Sequence, residues 1–246
     1  QEPCVNHSNY LSRIQDTTLW LGMGLVQSLE RGLIDKIVQE RKKRAFEDLF
    51  DFKIRCNPGL EQLKILIRIQ AFRFTQKSRR ELLWEAHSLY AEKKKIEGVN
   101  LLFTEKPKEI KLPNLEDSAL EIANDEHELL GFTLCSPFIL VAPDNIPESK
   151  IRSKSLHKLL GKSVYIEGYL VTVKPTKTIG GKEMNFGTWI DRDGYFFDSV
   201  HFPPVVRVYP FIGRGVYRIW GSVIEDFGVI AIEVAQMEKL GRLTST

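Results

Sequence analysis

A helical module followed by a small β-barrel, an α+β chain in two domains, is the architecture this sequence predicts. Three observations lead there. Apolar residues recur at helical spacing from Leu19 to about Lys95, the apolar period becomes two from Leu160 onward, and the charge changes sign twice along the chain.

The charge pattern sets the domains. Residues 1–97 hold 18 Lys+Arg against 13 Asp+Glu, a net +5. Residues 98–149 hold 3 against 10, a net −7, and residues 150–246 hold 14 against 9, a net +5. Two basic domains, 1–97 and 150–246, therefore flank an acidic linker, 98–149. Basic modules suit a polyanionic partner, nucleic acid above all. A hydrophobic content of 43% with 27% charged residues is that of a globular protein and excludes a disordered or fibrous chain. No apolar run approaches the roughly 20 residues that span a bilayer, so no membrane partner is expected. Cys4, Cys56 and Cys135 are odd in number and far apart, and the five histidines are scattered, which argues against a disulfide framework or a zinc site. A reducing cytoplasm fits. The start, Gln1-Glu2-Pro3-Cys4, shows neither an initiator Met nor a signal-peptide pattern, and the expectation is a fragment of a longer protein.

In the first module, Leu33, Ile34, Ile37 and Val38 line one helix face, ending in the run Glu40-Arg41-Lys42-Lys43-Arg44. Cations belong at a helix C-terminus, so Arg41–Arg44 read as a solvated helix end. Phe46, Leu49, Phe50 and Phe52 continue in a short helix ending near Cys56. Asn57-Pro58 reads as an N-cap with proline at the first helical position, and Leu60, Leu63, Ile65, Leu66 and Ile69 supply the next buried face. Ser78-Arg79-Arg80-Glu81 is a capping box, opening a helix through Leu82, Leu83, Trp84 and Leu89 to Tyr90. The acidic stretch is punctuated by prolines and predicts a tether with one helix near Glu116–Leu130.

In the second module, strands are predicted around Val164–Val171, Met184–Asp191, Tyr195–Phe202, Val216–Ile224 and Val229–Met237. Asp193-Gly194 is a strong hairpin signal, Phe227-Gly228 closes the last pair, and Pro203-Pro204 interrupts the ladder ahead of a brief helical or irregular piece at Val205–Tyr209. Five strands with an interruption after the third match the Greek-key barrel of an OB-fold, with a small sandwich as the alternative.

Four blocks then carry a family resemblance. Pro3-Cys4-Val5-Asn6-His7-Ser8 resembles the segment leaving the fingers domain of C-family bacterial DNA polymerases, the polymerase III alpha subunits. Leu21-Gly22-Met23-Gly24-Leu25-Val26 resembles the entry to that family's tandem helix-hairpin-helix module, and Ser78–Glu85 its closing helix. Glu128–Leu134 resembles the stretch before its OB domain. The resemblance implies a DNA-handling carboxy-terminal portion of such a polymerase, with the metal-binding carboxylates in a palm upstream. No catalytic or metal residue is therefore assigned in this chain, and no cofactor, Mg²⁺ being expected only in the catalytic domain. The implied partners are duplex and single-stranded DNA, the sliding clamp and other polymerase III holoenzyme subunits. An error-prone relative of the same family and a free-standing single-strand-binding or scaffold protein are the alternatives.

Candidate contacts follow. Neither hairpin, Gln27–Arg31 nor Ile69–Gln76, carries the glycines expected at amide-cradled phosphates, so phosphate contact falls to Arg73, Lys77, Ser78, Arg79 and Arg80. Cations beside a helix N-terminus oppose its dipole, and a phosphate offsets that cost. Leu102 and Phe103 stand where the family's clamp-binding peptide lies, and they equally suit packing back onto the protein. On the barrel, Phe186, Trp189, Tyr195, Phe197, Tyr217 and Trp220 are candidate rings, with Lys174, Lys177, Lys182 and Arg218 beside them. Strand alternation sends about half of the rings inward, and a bulge at Gly187 would reset which half. Trp189 is the preferred stacking residue. Asp191-Arg192-Asp193 reads as a hairpin turn rather than a metal site.

Overall fold

The computed structural model describes residues 1–91, 117–142, 146–226 and 228–243. The chain divides into two compact units, Gln1–Leu134 and Cys135–Thr246. Of the acidic segment 98–149, residues 117–134 pack within the first unit and the described residues from Cys135 within the second. Leu102 and Phe103 lie outside the described residues.

Among the described residues the first unit is helical but for a short antiparallel ribbon, β1 (Arg13–Gln15) and β2 (Thr18–Trp20), too brief to leave an alternation signal in the sequence. Then come α1 (Arg31–Lys43), α2 (Leu49–Cys56), α3 (Leu60–Arg68), α4 (Arg79–Ala91) and α5 (Ala119–Leu130). Asp48 caps α2, its carboxylate accepting the Asp51 amide at 2.7 Å. Asn57 corrects the expectation made for it: at φ 45° it closes α2 in the left-handed conformation that Asn tolerates, and α3 begins after Gly59. The capping box of α4 is reciprocal, with Ser78 N–H donating to Glu81 at 2.7 Å and Glu81 N–H donating to Ser78 Oγ at 3.2 Å. The core joins Val5, Met23, Ile34, Ile37, Leu49, Phe52, Leu63, Leu66, Phe72 and Leu82 to Leu129 and Leu130. Phe52 meets Phe46 and Phe72 edge-on at centroid distances of 5.0 and 4.9 Å, a favoured aromatic geometry.

Arg41 is not a solvated helix end. It is half-buried and donates to the Val5 carbonyl at 3.2 Å, to the Ser8 carbonyl and to Asn9 Oδ1, tying the chain start to α1. Carbonyls that would otherwise be buried without donors are satisfied by this guanidinium.

In the second unit β3 (Ser163–Lys177), β4 (Glu183–Ile190), β5 (Phe196–His201), β6 (Val216–Asp226) and β7 (Val229–Lys239) close in the order β3-β4-β5-β7-β6, with β6 back on β3. β5 and β7 run parallel and every other pair antiparallel. Closure excludes the open sandwich and matches the five-stranded OB arrangement. The interruption after β5 is α6 (Pro203–Val208), begun by the two prolines. At the β4–β5 turn Gly194 has φ 83°, and Asp191 Oδ1 accepts the amides of Asp193 and Tyr195 at 3.0 and 2.9 Å.

Gly187 is not a bulge. It pairs in register with Val173 and Ser199, and the shift falls on β3 between Leu170 and Thr172. A Cβ at Gly187 would meet Trp189 Nε1 and Ser199 Oγ at 2.8 Å, so the glycine makes room for an inward indole.

Candidate nucleic-acid interface

Two hairpin turns shape the surface of the helical unit. The first runs through Ser28 (φ 61°) to α1, whose N-cap Glu30 makes no side-chain capping bond. The second runs from Gln70 (φ 59°) to Gln76 (φ 59°), ahead of α4. Side-chain-bearing residues thus hold left-handed positions where glycine would be least strained.

The predicted cations of the second hairpin are spoken for. Arg73 donates to the carbonyls of Glu2 (3.1 Å) and Pro3 (3.2 Å), fastening the chain start. Lys77 pairs with Glu85 at 2.7 Å and stays exposed. Ser78 is committed to the capping box. Arg79 is buried: its amide donates to Asp117 at 2.9 Å, and its guanidinium faces Asp117 at 3.5 Å, Glu121 at 3.9 Å and Asp125. Arg80 reaches Glu121 at 2.7 Å. That hydrogen bond holds the Glu121 carboxyl below the usual carboxylate range. The expectation of open phosphate contacts at Arg73, Ser78 and Arg79 is corrected accordingly, because backbone carbonyls and carboxylates already meet their donors. The offset to the helix dipole comes from Asp117, not from an outside anion.

On the barrel, strand parity decides the rings. Trp189, Phe197 and Tyr217 point inward, the Trp189 side chain being fully buried, and the preference for Trp189 as a stacking residue is overturned. Arg218 is likewise buried, held by Glu167 at 3.1 Å and Glu238 at 3.0 Å, which removes its charge from any surface contact. Tyr195 stays exposed, with Lys154 Nζ 3.6 Å from its ring centroid.

The outward rows run the other way. Lys174 sits beside Phe186, and Phe186 beside Val200; Thr172, Thr188 and Asp198 form the next row; Tyr169, Ile190 and Phe196 form the third. Phe186 and Phe196 are exposed at 40% and 63%, Lys174 is exposed beside Phe186, and Lys177 and Lys182 are exposed at the β3–β4 turn. Phe196 was missed in the sequence, and Phe186 was left among rings of unsettled direction. The signal was there: the Asp193-Gly194 turn pairs Ile190 with Phe196, and even-numbered residues of both strands then face out. Tyr165 and Trp220 stack at 6.3 Å on the β3–β6 side.

Comparison with known proteins agrees with the first unit. The helix-hairpin-helix motif family matches residues 1–82. No curated protein matches the chain. Among solved structures, a putative nucleic acid-binding lipoprotein from Klebsiella pneumoniae is 18% identical over 36% of this chain and 77% of its own, with a TM-score of 0.29. The second OB-fold domain of replication protein A from Methanococcus maripaludis is 12% identical over 35% of this chain and 91% of its own, with a TM-score of 0.25. OBody AM1L10, solved bound to hen egg-white lysozyme, is 16% identical over 41% of this chain and 100% of its own, with a TM-score of 0.32. The family match over residues 1–82 and the observed strand closure together give a helix-hairpin-helix region followed by a closed five-stranded barrel consistent with an OB-fold. Such a pairing is the equipment of a nucleic-acid-binding protein. Among the described residues no helix is long and apolar enough to cross a membrane.

Proposed function

We propose that this chain is a non-catalytic DNA-binding portion of a C-family bacterial DNA polymerase, holding template and primer for a catalytic domain elsewhere. The observation that supports DNA binding most strongly is the outward pair Phe186 and Phe196 on neighbouring strands, with Lys174 alongside Phe186. Exposed rings stack on bases of any sequence, and lysines track the backbone. The finer polymerase reading rests on the order of the parts: a helix-hairpin-helix match over residues 1–82, an acidic segment, then the barrel. In that reading Leu102 and Phe103 contact the sliding clamp, other holoenzyme subunits dock nearby, and the Mg²⁺ that polymerisation needs is held by the palm. The test is two-sided. The purified chain should bind a primer-template yet extend no primer with Mg²⁺ and deoxynucleotides, and should restore processive synthesis only when joined to its catalytic partner. Failure to bind any DNA overturns the proposal, and so does extension by this chain alone.

A further inference from the structure

We propose that α5 is an internal phosphate mimic, occupying the cationic face of the second hairpin until a nucleic-acid backbone displaces it. The inference rests on the DNA-binding reading above and adds a regulatory contact to it. Glu121 and Asp125 are four residues apart and Glu128 three further on, so these three lie on one side of α5, and Asp117 stands just ahead of its N-cap Ser118. Every one of them meets a cation flanking the second hairpin, Arg68, Arg79 or Arg80. Asp117 takes the Arg79 amide, the first of α4, together with its guanidinium, and Glu121 pairs with Arg80 and Arg79. Asp125 accepts from Arg79 and twice from Arg68, at 2.8 and 2.6 Å, and Glu128 also pairs with Arg68.

Charge-assisted bonds from guanidiniums and from a helix N-terminal amide are those a phosphate would accept. Here one helix and the residue just ahead of its cap supply the anions in a row. The two ends of α5 are held differently. Leu129 and Leu130 of its last turn join the hydrophobic core, and the Leu129 carbonyl accepts the Gln27 amide at 2.7 Å. Upstream, ion pairs dominate, and these are exchangeable for another polyanion, whereas apolar burial is not. Arg79 is buried against three carboxylates, and a phosphate taking their place would keep its charge compensated.

The test uses the full chain and a fluorescein-labelled, mixed-sequence duplex read by anisotropy across a salt series. Glu121→Gln with Glu128→Gln removes two carboxylates from the mimic. Asp16→Asn with Glu225→Gln removes the same charge at exposed residues that belong to neither α5 nor the second hairpin. The first variant should bind the duplex several-fold more tightly than the second, with a log–log salt slope steeper by roughly 0.9 for each phosphate gained. Equal affinities and slopes in the two variants overturn the mimic. Wild-type binding with no gain in the variant rejects α5 alone, while no binding by any form rejects the DNA-binding reading as well. Circular dichroism checks folding. Glu128→Gln by itself, at a mostly exposed side chain, keeps the test decisive if the double variant unfolds: it should shift affinity in the same direction, and no shift overturns the mimic.

Discussion

The indole nitrogen of Trp189 donates to Ser199 Oγ at 2.7 Å across β4 and β5, inside the barrel. Ser199 Oγ in turn lies 2.8 Å from His201 Nε2. The pair makes Trp189 a core residue with a satisfied donor, not a stacking platform. Trp189→Ala should cost about 3–5 kcal/mol of stability, the usual loss for a truncated buried aromatic. Urea unfolding followed by circular dichroism measures it. A loss below about 1 kcal/mol would show that the ring is not packed as described.

The same network predicts a pH dependence. Burial pushes the His201 imidazole down from 6.5 to about 4. The unfolded chain therefore takes up this proton first, and stability falls as pH drops from 6.5 toward 4. The loss is complete below that, at roughly 3 kcal/mol by linkage, and no contribution changes above pH 6.5. His201→Gln should remove this component, so wild type and variant should differ in slope only within that window. Parallel stability curves from pH 4 to 6.5 would refute the assignment.

Glu167 and Arg218 form a buried pair at 3.1 Å, with Arg192 donating to the other Glu167 oxygen at 2.8 Å. Glu167→Leu alone should cost about 3–5 kcal/mol, because it strands buried positive charge. Adding Arg218→Met should recover part of that loss, giving a coupling energy of roughly 0.5–3 kcal/mol in a thermal-melt double-mutant cycle. Strict additivity would mean that the two side chains do not act as a pair.

The barrel was largely legible in the sequence because half-buried strands alternate and Asp193-Gly194 marks a turn. Each predicted strand overlaps an observed one, and the α4 capping box was readable because its partners lie three residues apart. What stayed hidden were contacts set by distant chain. Arg79 looked like a surface cation because Asp117 and Asp125 lie 38 and 46 residues downstream. Arg218 looked like a phosphate ligand because Glu167 lies 51 residues upstream. Trp189 was misassigned for a smaller reason: with a bulge at Gly187 left open the inward rings were not fixed, whereas Gly187 pairs in register and the shift lies at Leu170/Thr172. One residue of register exchanges the inner and outer faces of a strand.

The central claim, that this chain binds nucleic acid through the outer face of β4 and β5, has a direct test. Full-length chain is titrated against a labelled, unstructured single-stranded oligonucleotide, with Phe186→Ala and Phe196→Ala singly and together. Each substitution should weaken binding by roughly 1–3 kcal/mol, the worth of one base stacked on an aromatic ring, with the fold unchanged by circular dichroism. Binding should also weaken steeply as salt rises. Affinity that ignores both rings, or no binding even at low salt, would contradict the account.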